Sequence, residues 1–103
     1  MTEFRVFLRM RIQPGHGLAF ERDWREGADR ISGQRASVGQ WLARSTDEDD
    51  VYYVISDWTD EQSFRDYERS EAHQQYLRRL RPHRVDGSMS TMALLAAVPA
   101  GRS

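Results

Sequence analysis

The eight residues from Val51 to Trp58 constrain this chain most, because they are rich in β-branched and aromatic side chains and apolar on both faces of an extended segment. Tyr52, Val54 and Trp58 fall on one face, and Val51, Tyr53 and Ile55 on the other. A strand of that kind is covered on both sides. Helices cover one side, and the other needs something beyond them. A helix start follows at once. Thr59-Asp60-Glu61-Gln62 has the spacing of a capping box, in which the Thr59 hydroxyl and the Gln62 side chain satisfy each other's free backbone N–H groups. Phe64, Tyr67, Ala72, Tyr76, Leu77 and Leu80 then form an inward stripe that ends at Pro82. Ser70 is placed to cap or break the helix, and His73 sits on the edge of the stripe. This order brings Trp58 and His73 close together.

The rest of the chain supplies the partners. Phe4 to Ile12 alternates, with Phe4, Val6, Leu8, Met10 and Ile12 against Arg5, Phe7, Arg9 and Arg11, and reads as a first strand. After the turn at Pro14-Gly15-His16-Gly17, Phe20, Trp24, Ala28 and Ile31 recur at helical spacing, giving an amphipathic helix from about Leu18 to Ser32 with Gly33 as its C-cap. Ser37 to Ser45 alternates again, and the acidic run from Thr46 to Asp50 reads as a hairpin turn into the Val51 strand. Val85 to Val98 is expected to be a fourth strand and Pro99 to Ser103 a disordered tail, so residues 1–98 form one domain. The order β-α-β-β-α-β implies a ferredoxin-like α+β fold, a four-stranded antiparallel sheet with both helices on one face. The uncovered face is expected to pack on a second subunit, giving a homodimer. A chain of 103 residues buries only roughly 60–70% of its unfolded surface, so a second copy would also add stability.

Composition narrows the function classes. No apolar run approaches a membrane span and no signal peptide is evident, so a cytoplasmic protein without membrane contact is expected. A net charge of −1, with the arginines spread along the chain, gives no footprint for nucleic acid. Cysteine is absent and the three histidines are widely separated in sequence, so neither thiolate chemistry nor a metal site is expected. His16 and His83 fall in loops and receive no role.

Trp58-Thr59-Asp60-Glu61-Gln62-Ser63-Phe64, running into Ser70-Glu71-Ala72-His73, together with the Arg9-Met10-Arg11 strand and Pro14-Gly15, resembles the antibiotic biosynthesis monooxygenase family over about residues 4 to 96. The resemblance implies a dimeric α+β barrel. Members acting on polycyclic aromatic polyketides are cofactor-free oxygenases that convert anthrone-type phenols to quinones with dioxygen, using a tryptophan, an asparagine and a tyrosine in the pocket. Trp58 matches the tryptophan, whereas Val54 stands at the asparagine position and Phe64 at the tyrosine position. Arg78 is matched to an arginine of the second helix. The haem-degrading branch fits less well. Its axial histidine falls at Leu77, and its strand-one asparagine has no counterpart in a chain without asparagine.

The expected activity is therefore cofactor-independent monooxygenation of an aromatic polyketide in antibiotic or pigment biosynthesis, with dioxygen as co-substrate and no bound cofactor. An aromatic polyketide cyclase and a non-catalytic accessory subunit are the alternatives. Trp58 serves as a core residue whose indole N–H can also orient a phenol oxygen. His73 is either a proton acceptor or a helix-edge histidine bonded to a carbonyl. Tyr52 and Tyr67 are further candidates for the chemistry. Trp24, Val54, Phe64, Tyr76 and Arg78 are expected to bind substrate, although the aromatic members of that set would equally make an ordinary core.

Overall fold

The computed structural model describes residues 3–31 and 33–101. Four strands and three α-helices follow in the order β1 (Glu3–Ile12), α1 (Gly17–Ile31), β2 (Ser37–Arg44), β3 (Val51–Trp58), α2 (Glu61–Glu68), α3 (Glu71–Leu80) and β4 (Arg84–Leu94), with a short 3-10 turn at Arg81–His83. All neighbours are antiparallel in the order β2-β3-β1-β4, the ferredoxin-like arrangement. No described helix is long and apolar enough to cross a membrane.

Three boundaries differ from the sequence reading, each for a local reason. The cap of α2 is Asp60 rather than Thr59: the Asp60 carboxylate accepts from the Ser63 backbone N–H at 2.8 Å and from the Ser63 hydroxyl at 3.0 Å. Aspartate caps better than threonine, and the Thr59 N–H is already donated to the Ala36 carbonyl. The second helix is two helices, because Ser70 caps a new start. Strand β4 stops at Leu94, opposite Glu3 where β1 begins, so the chain beyond it has no ladder to join. Pro99 to Gly101 carries no regular structure. Ser32 and residues 102–103, where the first helix and the tail were expected to end, lie outside the described residues.

Register fixes the two faces of the sheet. Val6, Leu8 and Met10 lie opposite Ser56, Val54 and Tyr52 on the helix-facing side, and Arg5, Phe7 and Arg9 lie opposite Asp57, Ile55 and Tyr53 on the other. The helix-facing side carries two apolar clusters. One gathers Met10, Ile12, Phe20, Trp24, Tyr52, Val54 and Leu80, and the other Val6, Trp58, Phe64 and Tyr67; Leu8 and Tyr76 pack against both. The opposite face is not covered by any described element. There Trp41, Ile55 and Phe7 stand in register across three strands, Phe7 packs on Tyr53 at 5.5 Å, and Trp41 is half exposed. The arginine stripe of β1 is partly neutralised. Arg5 makes a two-pronged pair with the buried Asp57 at 2.7 and 2.8 Å, and Arg9 reaches Glu48 at 2.6 Å.

Candidate active site

The two clusters do not meet. Between them the sheet, α1, α2 and α3 enclose a cavity of about 290 Å³, at the lower end of the volumes from ~300 Å³ upward that hold small ligands. Val6, Leu8, Val54 and Trp58 form its floor, and Trp24, Phe64, Tyr67 and Tyr76 its aromatic walls. Its side toward β4 is open, since Arg84, Gly87 and Met89 line it from an exposed edge strand.

Trp58, the last residue of β3, stacks on Tyr67 at 5.2 Å and meets Phe64 edge-on at 5.7 Å. Its indole N–H is not free for a ligand, because it donates to the Ser56 hydroxyl oxygen at 3.1 Å. The expected donor is thus committed one step back, and the Ser56 O–H becomes the group left to donate at the cavity wall.

His73 is placed by Ser70. The Ser70 hydroxyl donates to the Tyr67 carbonyl at 2.6 Å and accepts from the His73 backbone N–H at 3.2 Å, so one side chain ties the end of α2 to the start of α3. The Tyr67 and His73 rings stand edge to face at 5.0 Å. His73 lines the cavity, and its Nδ1 is buried without a hydrogen-bond partner. Such an atom costs about 1–3 kcal/mol, and a native fold that keeps one calls for an explanation. Burial pushes the imidazole pKa below its usual value, with Glu68 partly opposing, so the ring is neutral at pH 7. Tyr67 behaves in the opposite sense. Burial raises its hydroxyl to about 12, which makes it a standing proton donor.

Other expected site residues divide. Trp24, Val54, Phe64 and Tyr76 line the cavity. Tyr76 is held there by a bond from its hydroxyl to the Trp24 carbonyl at 3.2 Å, and burial raises its pKa. Tyr52 lies elsewhere on the same sheet face: it packs on Phe20 at 5.0 Å, donates to Glu21 at 2.7 Å and does not line the cavity. Gly17 makes room for it, since a Cβ there would stand 2.8 Å from the Tyr52 oxygen. Arg78 is exposed on α3 and also absent from the cavity. The guanidinium at the cavity belongs instead to Arg84, which has no carboxylate partner among the described residues. Sequence reading passed over Ser56, Glu68 and Arg84. Strand parity alone puts Ser56 beside Trp58, but Arg84 reaches the helix side only through the register shift between Arg11 and Ile12.

The sequence profile of the antibiotic biosynthesis monooxygenase family matches residues 3–79. The chain belongs to this family. Solved structures similar to this family member include SnoaB, a cofactor-independent oxygenase from Streptomyces nogalater, at 22% identity and a TM-score of 0.85, covering 97% of this chain and 100% of that one. PA3566 from Pseudomonas aeruginosa is 18% identical with a TM-score of 0.80, covering 93% and 97%. A conserved protein from Methanosarcina mazei is 13% identical with a TM-score of 0.83, covering 91% and 94%. At these identities the likeness establishes a shared fold. No curated protein matches the sequence.

Proposed function

We propose that this protein is a cofactor-independent monooxygenase of aromatic polyketide biosynthesis, a cytoplasmic homodimer that oxidises an anthrone-type phenol to a quinone. The observation that carries the reading is the neutral, half-buried imidazole of His73, with its Nδ1 out of solvent and unpartnered, beside an aromatic-walled cavity whose two lining tyrosines both stay protonated. His73 is then an unpartnered acceptor among donors, whereas the lining carboxylate of Glu68 is held by Arg65 at 3.2 Å. His73 takes a proton from the activated methylene of the substrate, and the resulting carbanion reduces dioxygen, forming a C–O bond and a carbon-bound hydroperoxide. Loss of the second C–H proton with cleavage of the O–O bond gives the carbonyl and water, so one methylene and one dioxygen become one ketone and one water. The Tyr67 and Ser56 hydroxyls are placed to donate to the developing oxyanion, and Arg84 to hold a phenolate or carboxylate at the open side. The resemblance to SnoaB supports the reaction class. Incubation of metal- and flavin-free protein with an anthrone-type polyphenol, in air and under argon, tests it. Quinone formation with one dioxygen consumed per product, and none under argon, is expected. Turnover under argon would instead favour a cyclase, and saturable binding without turnover an accessory subunit.

A further inference from the structure

His16 and His83, 67 positions apart in the chain, are brought side by side, with their Nδ1 atoms 3.1 Å apart. Neither lines the cavity. The pairing is built from several directions. The Gln13 backbone N–H donates to the His83 carbonyl at 2.7 Å, which locks the turn before α1 to the 3-10 turn after α3. On the far side of the His83 ring, Nε2 lies 2.8 Å from the carboxylate of the buried Asp23. Asp23 is itself held by Arg79 at 3.0 Å, and Arg79 also binds Glu26. A carboxylate on Nε2 fixes the proton there and leaves the Nδ1 lone pair of His83 directed at His16. That is the orienting partner a metal-bound imidazole commonly has.

We propose that His16 and His83 form a two-imidazole chelate for a borderline divalent transition metal, Zn²⁺, Ni²⁺ or Cu²⁺, with Asp23 orienting His83 from behind. Two nitrogens bound to one ion at ~2.0–2.1 Å stand about 3.3 Å apart at the tetrahedral angle and about 2.9 Å apart at a right angle, so 3.1 Å falls between the two geometries. Imidazole donors suit these ions, and affinity rises toward Cu²⁺. No group of three or more metal-ligating side chains occurs among the described residues, so water fills the remaining positions and the site is an open chelate. His16 is exposed and can exchange its Nδ1 proton for the ion. Arg22 and Arg79 approach the site but lie against the Asp23 carboxylate, at 3.8 and 3.0 Å. A bound ion would cross-link the turn that precedes α1 to the one that follows α3, without entering the cavity.

The test uses tag-free, chelator-stripped full-length protein titrated with Cu²⁺, Zn²⁺ and Ni²⁺ by calorimetry, with electron paramagnetic resonance of the Cu²⁺ form. One ion per chain, tightest for Cu²⁺, with two imidazole nitrogens in the spectrum, is expected. His16→Ala changes an exposed side chain and so keeps the fold; it should weaken binding at least ~10-fold and remove one nitrogen from the spectrum. Asp23→Asn should weaken it by ~10–100-fold, the usual cost of losing an orienting carboxylate. Equal binding by wild type and His16→Ala, or no saturable binding at all, overturns the proposal and leaves the pair as a histidine–histidine hydrogen bond.

Discussion

His73 and Tyr67 touch, yet burial drives them to opposite roles, because it disfavours the charged form of each: the imidazolium of one and the phenolate of the other. The consequence for stability has a definite sign. With the folded pKa of His73 below its ordinary 6.5, the unfolded chain binds more protons between the two values, so stability present above about pH 6.5 is lost as pH falls through the folded value. Thermal melts should therefore show a falling Tm between pH 7 and 5, and His73→Phe should flatten that slope; an unchanged slope would contradict it. Asp23 does not blur the result, since its lowered pKa acts only below 3.8. For the same reason the acid limb of kcat/KM should lie below pH 6.5. The two arginines give a second test. Arg84→Leu should raise KM with little change in kcat, while Arg78→Leu, exposed and away from the cavity, should change neither. Steady-state kinetics separates them, and the reverse pattern would return the substrate contact to Arg78.

At the scale of elements, the spacing of α1 and α3 depends on Gly27, which is buried: a Cβ there would stand 2.0 Å from the Tyr76 ring. Gly27→Ala should destabilise the protein by about 1–3 kcal/mol through overpacking and push Tyr76 toward the cavity, lowering affinity for a flat ligand. Denaturant unfolding measures the first effect and ligand titration the second. Strands β1, β2 and β3 were legible in the sequence almost to the residue, because β1 and β2 alternate and β3 is a β-branched and aromatic run bounded by an acidic turn and a helix cap. The end of β4 was not, since apolar residues continue past Leu94 while the partner strand does not. Periodicity put Trp24, Val54, Trp58, Phe64, Tyr67 and Tyr76 on inward faces with His73 at their edge, but whether they close a core or line a cavity depends on packing that periodicity does not give. Tyr52 was misplaced because parity gives a face, not a position along it: Tyr52 pairs with Met10 and Trp58 with Phe4, six residues apart. Parity places Ser56 and Trp58 on one face, but the loss of the Trp58 N–H to the Ser56 hydroxyl depends on the rotamers of the two side chains, which spacing does not give.

At the scale of the molecule, the uncovered sheet face, with Trp41, Ile55 and Phe7 in one row, is the surface on which a second copy is expected to pack. Light scattering at micromolar concentration should give twice the chain mass, and Ile55→Asp should yield monomer or unfolded protein, since an unpaired buried charge costs roughly 3–5 kcal/mol. A monomeric wild type would contradict it. The face also holds Asp57, whose side chain is 4% exposed against 32% for Arg5. Arg5→Met should cost about 3 kcal/mol in denaturant unfolding, the low end of that range because Arg5 remains partly solvated. Dioxygen uptake with an anthrone-type polyphenol, compared between wild type and His73→Ala at pH 7.5, reads the chemistry in the cavity. Wild type should consume one dioxygen per quinone, and His73→Ala, still folded by its melt, should be slower by ~10²–10⁴-fold. Equal rates in the two proteins would show that the imidazole is not the base.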